Sequence, residues 1–179
     1  MKPVTERDIR ASFVNCTKGE TKRLAVPRDL ADRPWDDLDF LGWRDPASPE
    51  RAYLVTESGD GLVGVALRRA TPAAGARRSM CALCLTTHTG DGVSLMTARK
   101  AGRAGQQGNS VGAYMCTDLA CSLYLRGKKD AGPGGRIHES LALPEKIERT
   151  TANLTAFLGK VRDQTRIGSS AGAGRAGIA

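Results

Sequence analysis

Four cysteines constrain this chain more than any other feature. Cys81 and Cys84 form a Cys-x-x-Cys pair, and Cys116 and Cys121 form a Cys-x-x-x-x-Cys pair. Two close pairs separated by a long gap, once folding brings them together, supply four thiolates for a tetrahedral zinc ion. All-thiolate ligation leaves no open position, so the expected Zn2+ is structural and holds a surface together. Other uses fit less well. A redox Cys-x-x-Cys opens a helix whose N-terminus lowers the thiol pKa, whereas Cys84 runs into a turn-like stretch containing His88, Gly90 and Gly92. Disulfides suit secreted chains, and the first residues, Met1 to Glu6, lack the apolar run of a secretory signal. A zinc deaminase needs His-x-Glu upstream of Pro-Cys-x-x-Cys. Here His138 and Glu139 are adjacent and downstream, and Met80 precedes Cys81. His88 is an alternative ligand by position but is expected in the turn.

The 179 residues suit one domain, or a small domain with an appendage. Only 4% are aromatic, so the core is expected to be thin and aliphatic. A metal cross-link is useful in such a chain because metal binding adds directly to folding free energy. No apolar stretch approaches the ~20 residues that span a bilayer, and free-thiol ligands make the cytoplasm the expected compartment. Net charge is +8, and residues 66–136 hold eleven basic side chains against Asp91, Asp118 and Asp130. A positive field of this kind suits RNA, a ribosomal surface or an acidic protein, or merely a solvated surface.

Local signals divide the chain into elements. Thr5 to Asp8 is a capping-box variant, and Ile9, Phe13 and Cys16 then share one helical face, which makes the fifth cysteine a core residue of that helix. Lys18 to Arg23 is expected to end the helix. Residues 27–50 carry Pro27, Pro34, Pro46 and Pro49 and read as an extended connection pinned by Trp35 and Trp43. Asp36, Asp37 and Asp39 lack the spacing of a calcium loop and are expected in a solvated turn or cap. Residues 52–57 and 62–67 read as a β-hairpin. Residues 92–98 and 110–115 read as strands flanking a basic, Gly-rich mobile loop. A helix capped by Thr117 or Asp118 and running to about Arg126 follows. Knuckle, hairpin and helix in that order are the treble-clef arrangement. From Pro144, Ile147, Thr151, Leu154, Phe157, Leu158 and Val161 keep helical spacing. The expected fold is therefore α+β: a small antiparallel sheet with a treble-clef zinc finger and flanking helices. The expected parts are 1–70 (helix, Pro/Trp-rich connection, hairpin), 71–163 (zinc-finger domain with C-terminal helix) and 164–179 (flexible tail).

These motifs resemble one family. The knuckle, the basic loop, the run from Tyr114 to Arg126 and the closing helix look like the treble-clef zinc domain of FusB-type proteins. The run from Thr5 to Arg23 looks like the start of the shorter, actinobacterial-type FBP-domain branch. The resemblance implies a protein that binds elongation factor G and helps it leave the ribosome, as in fusidic acid resistance. The alternative is direct RNA or ribosome binding through the basic surface. FusB-type resistance proteins carry a sizeable helical bundle before the zinc domain, and this chain offers one short helix there. No paired catalytic carboxylates, nucleophile–base motif or phosphate-binding glycine pattern is found, so no enzyme activity is expected. The partner surface is expected among Arg99, Lys100, Arg103, Tyr124, Arg126, Lys128 and Lys129, on a monomer with no membrane contact.

Overall fold

The alternating apolar residues on either side of the turn between Ser58 and Gly61 make the hairpin on which the rest of the molecule is built. The computed structural model describes residues 1–59, 61–71, 78–132 and 139–163. Along the chain run α1 (Glu6–Ser12), α2 (Lys18–Arg23), β1 (Leu41–Arg44), β2 (Arg51–Ser58), β3 (Gly61–Arg69), β4 (Ser79–Met80), β5 (Thr87–His88), β6 (Val93–Arg99), α3 (Gly102–Gln106), β7 (Ser110–Cys116), α4 (Cys121–Leu125) and α5 (Leu143–Arg162). The main sheet is antiparallel, in the order β1-β2-β3-β6-β7, and β4 pairs with β5 in a separate ribbon. The α+β class is therefore as expected. Strands β3 and β6, on either side of the boundary expected after residue 70, pair with each other through Arg68–Thr97 and Arg69–Met96.

Strand alternation gives the sheet two faces and two cores. On one face Trp43, Tyr53 and Val55 pack with Ile9 of α1 and with Leu24, Trp35 and Leu38. On the other, Ala52, Leu54, Val65, Leu67, Met96 and Met115 meet the cysteines and the α5 residues Leu154, Phe157, Leu158 and Val161. On α5 it is Thr150, not Thr151, that turns inward, its hydroxyl donating to the Lys146 carbonyl.

Several local expectations are corrected. Helix α1 starts with the expected capping box but ends at Ser12, because Phe13 is extended and forms a parallel bridge to Gly64. Cys16 thus lies beyond α1 and is only half-buried. Lys18 to Arg23 is itself a helix, opened by a second capping box in which Thr17 and Glu20 exchange hydrogen bonds. The Pro/Trp-rich connection contains β1 and two short 3-10 turns. The Gly-rich loop contains α3, where Gly105 is required because a Cβ would lie 1.8 Å from the Lys100 carbonyl oxygen. Neither Thr117 nor Asp118 is the N-cap of α4; that position is Ala120, whose N–H donates to Asp118 Oδ1. The expected linker after Thr71, His138 and the expected tail lie largely or wholly outside the described residues.

Candidate metal centre

Each cysteine pair is set by a tight turn. The β4–β5 ribbon presents Cys81, and the turn closes as Leu85 N–H donates to the Cys81 carbonyl and Cys81 N–H donates to the Thr86 carbonyl. Cys116 ends β7, and Leu119 N–H donates back to its carbonyl before Cys121 opens α4. Both turns use a leucine in the left-handed region, Leu85 at φ 59 and Leu119 at φ 57. That conformation is costly for a leucine and needs support from its surroundings. Leu119 has such support, because it is buried against Gly42 of β1, where a Cβ would come within 2.4 Å of the Leu119 Cβ.

The turns bring all four thiols together. Cys81, Cys84, Cys116 and Cys121 are buried, and their sulfurs lie within 4.8 Å of one another. Cys81 Sγ is 3.7 Å from Cys121 Sγ, and Cys84 Sγ is 3.6 Å from Cys116 Sγ. A zinc–sulfur bond of about 2.3 Å places the edges of a regular tetrahedron at roughly 3.8 Å. The donor set and spacing therefore fit the ion, and the four cysteines form a structural zinc site.

The four thiols perturb one another strongly. The surrounding thiols of Cys116, Cys121 and Cys84 hold the Cys81 pKa below the ordinary thiol value. Cys121, facing Cys116, Cys81 and Cys84 in a buried setting, is pushed well above it. Zinc ligation needs the thiolate form, so a divalent ion bound here would displace the thiol protons. Neighbouring groups orient the sulfurs. His88 is buried in β5 with Nε2 3.4 Å from Cys116 Sγ, so it supports a ligand and is outside the four-sulfur cluster. Thr86 Oγ1 lies 3.3 Å from Cys84 Sγ, and Asn153 Nδ2 of α5 donates to the Leu83 carbonyl inside the knuckle.

The zinc finger is also tied to the N-terminal segment. Arg126 reaches Asp39 with both guanidinium nitrogens, at 2.7 and 2.8 Å, and Lys128 Nζ is 2.6 Å from Asp37. The acidic stretch thus clamps α4. Tyr124 is buried, edge-on to His88, and donates to Asp118, which also accepts from Lys129. Burial works to raise the Asp118 pKa, but bonds from Lys129, Ala120 and Tyr124 outweigh it and hold the carboxyl low. Of the other expected partner residues, Arg99 pairs with Glu20 at 2.5 Å and Lys100 with Asp163 at 3.8 Å. Arg103 is exposed on α3. The seven residues are spread from the end of β6 through α3 to the segment just after α4, and most have intramolecular partners.

The family model of the FBP C-terminal treble-clef zinc-finger matches residues 8–161. The chain belongs to that family. The match takes in α1 and the hairpin as well as the four cysteines, so the FBP fold here includes the N-terminal layer of the sheet. No curated protein and no solved structure matched this FBP chain.

Proposed function

We propose that this FBP-family protein acts by binding rather than catalysis, and that its partner is elongation factor G, whose release from the ribosome it favours. The observation that carries the reading is the family match over residues 8–161. The metal centre supports it: a buried four-thiolate zinc has no open position for substrate, and it braces a platform made of the knuckle, the β6–β7 hairpin and α4. The N-terminal layer here is part of one sheet with the finger, and release of the factor is therefore proposed ahead of drug resistance.

Arg126 and Tyr124 are structural, so variants there would confuse misfolding with lost contact. Met80 is the better probe. It flanks Cys81 and is 44% exposed, and methionine is favoured at the centre of interfaces. Calorimetric titration of the zinc-loaded chain with purified elongation factor G is expected to show saturable binding that resists nuclease. Met80→Asp is expected to weaken it by about tenfold or more with zinc retained. Absence of binding at tens of micromolar factor would remove the reading. Unchanged binding by Met80→Asp would move the contact away from the knuckle.

A further inference from the structure

Among the described residues, only half of one sheet face is covered. Ile9 of α1, Leu24, Trp35 and Leu38 pack over β1 and β2, whereas on the same face of β6 and β7 the outward residues Arg99, Ser110, Gly112 and Tyr114 are exposed. Where cover gives way to open sheet there is a cavity of about 660 Å³, with Arg23, Arg51, Arg68 and Arg99 among its lining. Arg51 and Arg68 are direct register partners on adjacent strands. Like charges placed so oppose sheet pairing. Arg99 is engaged by Glu20, but Arg23, Arg51 and Arg68 make no side-chain hydrogen bond or ion pair among the described residues. Glu50 is the one other acid lining the cavity, so an excess of guanidinium groups faces solvent there.

We propose that this open half-face binds single-stranded RNA, with phosphates held by Arg23, Arg51 and Arg68 and a base stacked on Tyr114. Guanidinium forks match phosphate oxygens two at a time. The row Arg51–Arg68–Thr97–Gly112 crosses the sheet in register, and Tyr114 lies two residues beyond Gly112 on the same face. Strand spacing puts Tyr114 roughly 7 Å along the strand from that row, within reach of one bound strand. Tyr114 is 56% exposed, so its ring is open to a stacking ligand. A duplex keeps its bases stacked inside, so an exposed stacking residue serves a single strand. Thr97 and Ser110 add hydroxyls suited to a ribose 2′-OH. Of the large hydrophobic side chains exposed among the described residues, Met80, Tyr114 and Leu143, only Tyr114 belongs to β6 or β7, so these two strands offer little of the apolar centre that a protein partner would need.

The test is fluorescence anisotropy of the zinc-loaded full chain with a labelled mixed-sequence RNA of about ten nucleotides. The matching DNA, the RNA duplex and poly-glutamate serve as comparators. RNA is expected to bind most tightly. Arg51→Ala/Arg68→Ala should weaken it at least tenfold at low salt and flatten the log K against log salt slope by about 1.4, two contacts at ~0.7 each. Tyr114→Ala should cost about fivefold or more with the slope unchanged. Zinc content and circular dichroism show whether each variant is folded. Absence of RNA binding, equal binding of DNA, or folded variants that bind like the parent overturn the proposal. Poly-glutamate bound as tightly as RNA would assign the face to an acidic protein instead.

Discussion

At the residue scale, two polar groups outside the metal centre, half-buried Cys16 and buried Asn15, carry signatures of their own. Cys81→Ser is expected to lose zinc and Cys16→Ser to keep it, as read by metal analysis. Cys16 carries a separate signature. Burial, then Glu20, raise its pKa to about 11 from an ordinary 9.0, against a smaller pull from Arg99. The folded thiol therefore keeps its proton where the unfolded one loses it. The stability this provides is complete below about pH 9 and is lost as pH rises through about 11. Urea midpoints measured across that window should fall more steeply for the parent than for Cys16→Ser. Asn15 is the other group. Its Nδ2 donates to the carbonyls of Ala66 and Arg99, at 2.9 and 3.1 Å, and its Oδ1 accepts from Ala66 N–H at 2.8 Å. It thus fills the gap where β3 and β6 part. Asn15→Ala should cost about 3 kcal/mol by denaturant unfolding, since it leaves buried backbone groups without partners. Asn15→Asp should do no better, because a carboxylate cannot donate to those carbonyls. The cysteines were legible because ligand spacing is a local pattern. Asn15 was not, because its partners are 51 and 84 residues away.

At the scale of elements, α4 is held by zinc at its first residue and by Asp39 at its end. The Arg126 and Asp39 side chains are 14% and 12% exposed. Arg126→Ala is expected to cost about 2 kcal/mol, less than a fully buried pair because both groups keep some water. A double-mutant cycle with Asp39→Ala, read from urea midpoints, should return a coupling of at least about 1 kcal/mol. Additive effects would mean that the pair contributes nothing. The hairpins, α1 and α5 were legible from alternation and caps, which are written in neighbouring residues. α2 was hidden because Lys18-Gly19 looks like a helix stop, although Thr17 and Glu20 already spelled its box. β1 was hidden among prolines, and α3 behind Gly102 and Gly105. Asp37 and Asp39 read as a solvated turn because nothing local points to α4.

At the scale of the molecule, zinc belongs to one of two cores. The cysteines cluster with Leu154, Phe157 and Val161, whereas Trp43 and Tyr53 sit in a cluster without a ligand. Chelation should therefore strip hydrogen-exchange protection from residues 80–126 and from α5, and leave more of it around α1 and β2. Uniform loss would show that the sheet has a single cooperative core. Asn15 also has a consequence for how the chain is made. Synthesis proceeds from the N-terminus at roughly 5–20 residues per second. Asn15 leaves the ribosome long before Arg99, 84 residues later, has been added. For on the order of ten seconds, at the middle of that rate range, the first two helices have no finished seat. The nascent N-terminal layer is then a waiting surface, open to chaperones or to premature pairing, until the strand that completes its amide socket arrives.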